Sequence, residues 1–174
     1  MKQNLCLVGP MGAGKTTIGK KLAAQLGAEF IDCDDEIESR TGTTIPVIFD
    51  IEGEEGFRDR EEKILEELIA RTGLVLATGG GCVIREVNRT VLKKADVVIY
   101  LAASVQDQLA RTRKSRHRPL LDTPDREATL TQLAEHRNPL YEEVATFTVH
   151  SQGRKTGAVV KEIIDILNDN FIAT

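Results

Sequence analysis

Leu5-Cys6-Leu7-Val8-Gly9-Pro10-Met11-Gly12-Ala13-Gly14-Lys15-Thr16 is the stretch on which the fold turns. Four apolar residues bounded by Gly9-Pro10 read as a strand buried on both faces. The eight that follow match G-x-x-x-x-G-K-[ST], whose glycines let backbone N–H groups converge on phosphate oxygens. Lys15 can then reach a β- or γ-phosphate, and the Thr16 hydroxyl can ligate Mg²⁺. From Lys15 to Leu26 a helix is expected, with Ile18, Leu22 and Leu26 on one face and Gly27 ending it in the left-handed conformation. Its N-terminal end adds partial positive charge to the same cradle.

Working outward, Phe30-Ile31 forms the core of a second strand, and Glu55 to Arg71 a helix with Phe57, Ile64, Leu65, Leu68 and Ile69 on one face. Leu74 to Ala77 and Val97 to Leu101 are further buried strands, the latter followed by Ser104 as an N-cap. Thr123-Pro124 is expected to open a helix. Phe147 to Val149 reads as a weaker fifth strand, and a last helix carries Val159, Val160, Ile163, Ile164 and Leu167. Uniformly apolar strands alternating with helices describe a parallel sheet covered on both faces. The chain has 174 residues, shows no repeat or linker, and is expected to form a single domain over 1–174.

A net charge of −4 and 4% aromatic residues argue against nucleic acid as the partner. No apolar run is long enough for a membrane span. Met1-Lys2-Gln3-Asn4 lacks the apolar region of a signal peptide, so a cytoplasmic location is expected. Cys6, Cys33 and Cys82 are odd in number and widely spaced, which speaks against a disulfide framework or zinc site. No N-K-x-D motif points to a GTPase, and no strand ends in a Walker-B Asp-Glu pair.

Other features belong beside the phosphate loop. Asp32-Cys33-Asp34 sits at the carboxyl end of the second strand, where ligands of open parallel sheets bind. Alternation along an extended segment would point both carboxylates one way, one toward a magnesium-bound water and the other toward substrate hydroxyls. Helix capping by Asp34 or Asp35 is the alternative. Arg58 can grip a carboxylate with its planar fork beside an apolar wall from Phe57, or simply be a solvated arginine at a helix start. Thr78-Gly79-Gly80-Gly81 suggests close approach of backbone to a ligand. Arg111 to Leu121 is densely basic and suits a segment closing over phosphates, or a solvated loop. Arg137-Asn138-Pro139 places a second arginine before a helix interruption.

Taken together, G-P-M-G-A-G-K-T at 9–16, D-C-D at 32–34, F-D-I-E-G-E-E-G-F-R at 49–58, T-G-G-G at 78–81, R-P-L-L at 118–121 and R-N-P-L-Y at 137–141 resemble the shikimate kinase family over essentially the whole chain. The resemblance implies an α/β P-loop NTPase fold: a five-stranded parallel sheet flanked by helices, nucleoside-monophosphate-kinase-like, with a substrate-binding segment at 32–62 and a lid at 111–124. It implies a monomer that transfers phosphate from ATP, with Mg²⁺, to the 3-hydroxyl of shikimate. Gly12, Ala13, Gly14, Lys15, Thr16 and Thr17 would hold ATP phosphates, and Thr16 and Asp32 the metal. Asp34 would bind the acceptor hydroxyls, while Arg58 and Arg137 pair with its carboxylate. Gly79, Gly80 and Gly81 would contact substrate, with Phe49 and Phe57 lining the ring pocket. Arg118 would reach the ATP phosphates, with Arg111 and Arg154 near adenine. Lys15, Asp34 and Arg118 form the expected catalytic set. Gluconate kinase or a nucleotide kinase is the nearest rival, and a non-catalytic nucleotide switch is the rival of another class.

Overall fold

The computed structural model describes residues 3–112 and 123–172. Five strands, β1 (Leu5–Val8), β2 (Glu29–Asp32), β3 (Leu74–Ala77), β4 (Val97–Ala102) and β5 (Phe147–His150), form one parallel sheet in the order β2-β3-β1-β4-β5. The helices are α1 (Lys15–Leu26), α2 (Cys33–Thr41), α3 (Ile45–Ile69), α4 (Glu86–Leu92), α5 (Val105–Thr112), α6 (Arg126–Val144) and α7 (Thr156–Leu167).

Alternate side chains of each strand enter two separate apolar layers, as the period of two requires. Leu5, Leu7, Val75, Ile99 and Leu101 join Ile18 and Leu22 of α1 and Val159, Val160 and Ile163 of α7. Cys6, Val8, Leu74, Leu76, Val98 and Tyr100 face the other way, onto Ile37 of α2, Leu65 and Leu68 of α3, Val91 of α4 and Tyr141 of α6. Both faces are covered, which explains why β1, β3 and most of β4 read as unbroken apolar runs. Because all strands run one way, the chain segments leaving β1, β2 and β3 emerge along one rim of the sheet.

Local chemistry ends the elements. Gly27 adopts φ 60 and donates its N–H to Ala23 O, closing α1 as expected. Ser104 Oγ accepts from the Asp107 N–H at 3.1 Å and caps α5. Three boundaries differ from the sequence expectations. The helix expected from Glu55 begins instead at Ile45, because Gly53 at φ 70, ψ −178 breaks α3 without ending it. Past that break, Gly56 leaves room for the Glu52 side chain, and Arg60 pairs with Glu52 through two hydrogen bonds of 2.8 and 2.6 Å. The helix expected at Thr123-Pro124 starts at Arg126, because Asp125 is its cap and accepts from the Ala128 N–H at 2.9 Å. No interruption follows Arg137: Pro139 lies inside α6, where the buried Leu130, Tyr141 and Val144 hold the helix together around the missing N–H. The lid expected at 111–124 falls largely on 113–122, outside the described residues.

Gly19 lies in α1 where a β-carbon would stand 3.0 Å from Phe30 Cδ2 and 3.2 Å from Leu7 Cδ1. Alanine in a helix ordinarily gains up to about 1 kcal/mol over glycine, so the sign of the change tests the packing. Gly19→Ala is expected to lower the unfolding free energy by about 1–3 kcal/mol in urea titration; a stabilised variant would show that the layer yields freely.

Candidate active site

The segment after β1 curls through Gly9, Gly12 and Gly14, all at positive φ (141, 78 and 94). A β-carbon at Gly9 would meet Leu101 O at 2.5 Å, so that glycine is required by space as well as by backbone. Lys15 opens α1 and folds back over the loop, its Nζ donating to Gly9 O at 2.7 Å and Pro10 O at 2.9 Å. Thr16 Oγ1 donates to Asp32 Oδ2 at 2.7 Å, joining the loop to the end of β2.

Asp32 and Asp34 meet the crevice by a different route from strand alternation. The chain turns helical at Cys33, and Asp32 is itself the N-cap, accepting from the Asp34 N–H through Oδ1 at 3.1 Å. Asp34 therefore sits in the first turn of α2, and neither it nor Asp35 does the capping. Asp34 Oδ1 is buried without a hydrogen-bond partner. Burial raises its carboxyl to about 7, with Asp32 and Glu61 adding repulsion and Lys15 and Arg58 opposing.

Opposite stands Arg58, on α3 after the break. Its Nη1 donates to Glu61 Oε2 at 2.7 Å, and Nη2 and Nε donate to Glu54 Oε1 at 3.1 and 3.4 Å. Its guanidinium carbon lies 5.1 Å from the centre of the Phe57 ring, which in turn stands 4.9 Å from that of Phe49. Glu61 is fully buried on its side chain, and burial raises its pKa against the pull of Arg58, Arg137 and Arg85.

The three glycines after β3 explain how these groups fit. None has positive φ, so the demand is for space. A β-carbon at Gly79 would stand 2.8 Å from both Asp34 Oδ1 and Glu61 Oε1; at Gly81 it would stand 2.7 Å from Arg58 Cζ and Nη1. The Gly80 position is nearest the phosphate loop, 3.4 Å from Met11 N. At Gly79 and Gly81 the space is thus filled by the protein's own charged side chains. The Tyr141 hydroxyl donates to Gly80 O, and its ring stacks on Tyr100 at 5.1 Å. One helical turn earlier, Arg137 lies beside that hydroxyl and lines a small cavity with Pro10 and Met11.

Behind the phosphate loop an open cleft of about 200 Å³ is bordered by Gly14, Thr17, Arg111, Ser151 and Arg154, among others. Arg111 Nη1 donates to Gly12 O at 2.9 Å and Nη2 to Ser151 O at 3.1 Å. Arg154 pairs with Glu162 and donates to His150 O at 3.1 Å. Arg118 lies outside the described residues. Sequence reasoning missed Glu61 and Tyr141. Each stands one helical turn beyond an arginine that it did single out, and that spacing was the available signal.

A phosphate cradle at the centre of a parallel sheet, facing buried acids and arginines, defines a P-loop kinase that acts on a small molecule. The chain belongs to the shikimate kinase family, whose model matches residues 11–168, and is an ATP-dependent kinase with shikimate as acceptor. It is similar to the shikimate kinase of Vibrio parahaemolyticus, 52% identical over 168 residues that cover 97% of this chain and 98% of that one. Shikimate kinase 1 of Yersinia enterocolitica is 52% identical over 171 residues, covering 97% and 98%. A shikimate kinase from Acinetobacter baumannii, solved in complex with shikimate, has a TM-score of 0.95 at 47% identity over 98% of this chain and 96% of its own. Deoxyadenosine kinase from M. mycoides with bound dATP shares the fold, at TM-score 0.63 and 18% identity over 95% and 99%.

Two outcomes follow from the glycine contacts and the buried acid. Gly81→Ala displaces the Arg58 guanidinium, so the shikimate KM is expected to rise about tenfold with the ATP KM unchanged; steady-state kinetics with each substrate varied decides it. Asp34 costs the ligand-free, metal-free fold stability as pH rises from its ordinary 3.8 through about 7, because the folded state holds the proton more tightly. Asp34→Asn is therefore expected to raise the melting temperature by a few degrees at pH 8 but not at pH 4, while turnover collapses. An equal change at both pH values would remove the buried charge as the cause.

Proposed function

We propose that the crevice divides the phosphorylation of shikimate among an anion grip, a hydroxyl acceptor and a phosphate cradle. Arg58 and Arg137 pair with the carboxylate, and Phe49 and Phe57 form the wall beside the ring. Gly79 and Gly81 shape the floor, with Gly80 offering backbone to the substrate. The buried Arg58 is the observation that carries this reading. An arginine only 6% exposed, held by Glu61 across from Asp34, is placed to select an anionic acceptor over a neutral sugar.

Asp34 Oδ1 receives the hydrogen bond of the 3-hydroxyl and takes its proton as the oxygen attacks. A carboxyl that titrates near 7 in the free protein suits a proton acceptor at neutral pH. Phosphoryl transfer asks mainly for alignment and charge compensation. The loop N–H groups of Gly12, Ala13 and Gly14, with Thr17, hold the ATP phosphates in line. Lys15, poised over the same loop, offsets charge on the γ-phosphoryl group, and Arg118 is assigned the same task from the sequence motif alone. The products are shikimate 3-phosphate and ADP, a step toward chorismate and the aromatic amino acids. Arg111 and Arg154 border the cleft assigned to adenine.

Thr16 Oγ1 and the Asp32 carboxylate, 2.7 Å apart, are hard oxygen donors that fit Mg²⁺. One hydroxyl and one carboxylate, directly or through water, suit an ion that keeps much of its hydration shell and arrives with the nucleotide. Among the described residues no group of three or more His, Cys, Asp or Glu forms an all-protein cage. When bound, Mg²⁺ neutralises charge on the β- and γ-phosphates. Asp32 then serves both the metal and the N-terminus of α2.

Three buried free thiols suit a reducing cytoplasm, and among the described residues no helix is long and apolar enough to cross a membrane. A monomer is proposed as the working unit.

Arg58→Ala is expected to raise the shikimate KM by about tenfold or more and to leave ATP binding nearly intact. The check is ADP release in a coupled assay with shikimate, gluconate and nucleoside monophosphates as acceptors. ATP turnover indifferent to shikimate would overturn the acceptor assignment, and an unchanged KM would remove Arg58 from the grip.

A further inference from the structure

We propose that Glu54 is an internal competitor for the substrate's carboxylate, occupying the Nε–Nη2 fork of Arg58; this rests on the reading of Arg58 as the carboxylate grip. A carboxylate binds guanidinium best through two parallel N–H groups. On Arg58 the Nε–Nη2 edge is such a fork, and a single oxygen of Glu54 spans it at 3.4 and 3.1 Å. The remaining nitrogen, Nη1, donates to Glu61 at 2.7 Å. All three nitrogens therefore already face protein carboxylates.

The two glutamates are not equivalent. Glu61 has a side chain with no exposure, and removing its partner would strand a buried charge. Glu54 is 52% exposed, so water rehydrates its carboxylate when it leaves. An exposed glutamate one turn from an arginine is also held weakly. Glu54 immediately follows Gly53, where α3 breaks at φ 70, so the turn that bears it is not locked into a preceding helix. An arriving acid therefore exchanges with Glu54, while Glu61 stays and keeps the guanidinium aimed.

The exchange has two consequences. With the site empty, the buried fork of Arg58 is never left as bare positive charge. With substrate present, part of the grip is spent on displacing Glu54, which lowers apparent affinity without touching the reacting atoms. Removing this carboxylate should therefore tighten the enzyme for shikimate, the reverse of what loss of a supporting contact does.

The experiment compares Glu54→Gln, Glu52→Gln, Arg58→Ala and the double variant Arg58→Ala/Glu54→Gln in the full chain, with shikimate and ATP varied separately. Glu54→Gln is expected to lower the shikimate KM about threefold or more, with kcat and the ATP KM within about twofold. Glu52, two residues away, pairs with Arg60, so Glu52→Gln should leave the KM in place and control for loss of nearby negative charge. In the Arg58→Ala background Glu54→Gln should lower nothing. An unchanged or raised KM in Glu54→Gln overturns the proposal, as does an equal fall in Glu52→Gln. If Arg58→Ala itself leaves the KM unmoved, the grip reading fails; if it raises the KM while Glu54→Gln does nothing, only the competitor fails.

Discussion

The buried pair of Arg58 and Glu61 is the interaction on which the acceptor side of the crevice depends. Taking both charges out of water is costly, and a hydrophobic pair of like volume is often no less stable. Its persistence makes sense as a device that aims a guanidinium. Glu61 holds one nitrogen, the space a β-carbon would take at Gly81 is filled by the group itself, and the Phe57 ring lies 5.1 Å from its carbon. Without a glycine at 81 the group would have no place to lie, and without Glu61 it would have no reason to stay.

From that pair a line of contacts runs back to the phosphate loop. Glu61 and Asp34 each bring an unpartnered oxygen to the notch over Gly79. The Asp34 N–H donates to Asp32, which accepts from Thr16 at the mouth of the cradle. A second line passes from Gly80 through Tyr141 to Arg137. The groups that would hold the acid, the hydroxyl and the nucleotide are thus positioned by one another. Several of these contacts are individually unfavourable, as the raised carboxyl of Asp34 shows, so the site draws on stability that the two apolar layers supply.

Much of the fold was legible because short apolar runs and a glycine-ended helix leave local traces. β1, β3, β4 and α1 stood out from composition and punctuation alone. Less legible were α4, which has no clear signal, and the start of α3, expected at Glu55 but found at Ile45, on the far side of the break at Gly53. Pro139 misled in the same way: proline disfavours a helix locally, but packing on either side of it outweighed one lost hydrogen bond. The site residues were named from motifs, and what the motifs did not carry was the partnership among them.

What the sequence determined by itself was the parallel sheet, the phosphate cradle and the resemblance to shikimate kinases, because each is carried by short motifs whose own residues are close together along the chain. Only tertiary structure decided that Glu61 backs Arg58, that Glu54 sits across its fork, and that Gly79 and Gly81 are empty so that charged side chains may enter. Those facts depend on which β-carbon positions coincide in space when β3, α2 and α3 come together, and spacing along the chain does not encode that coincidence.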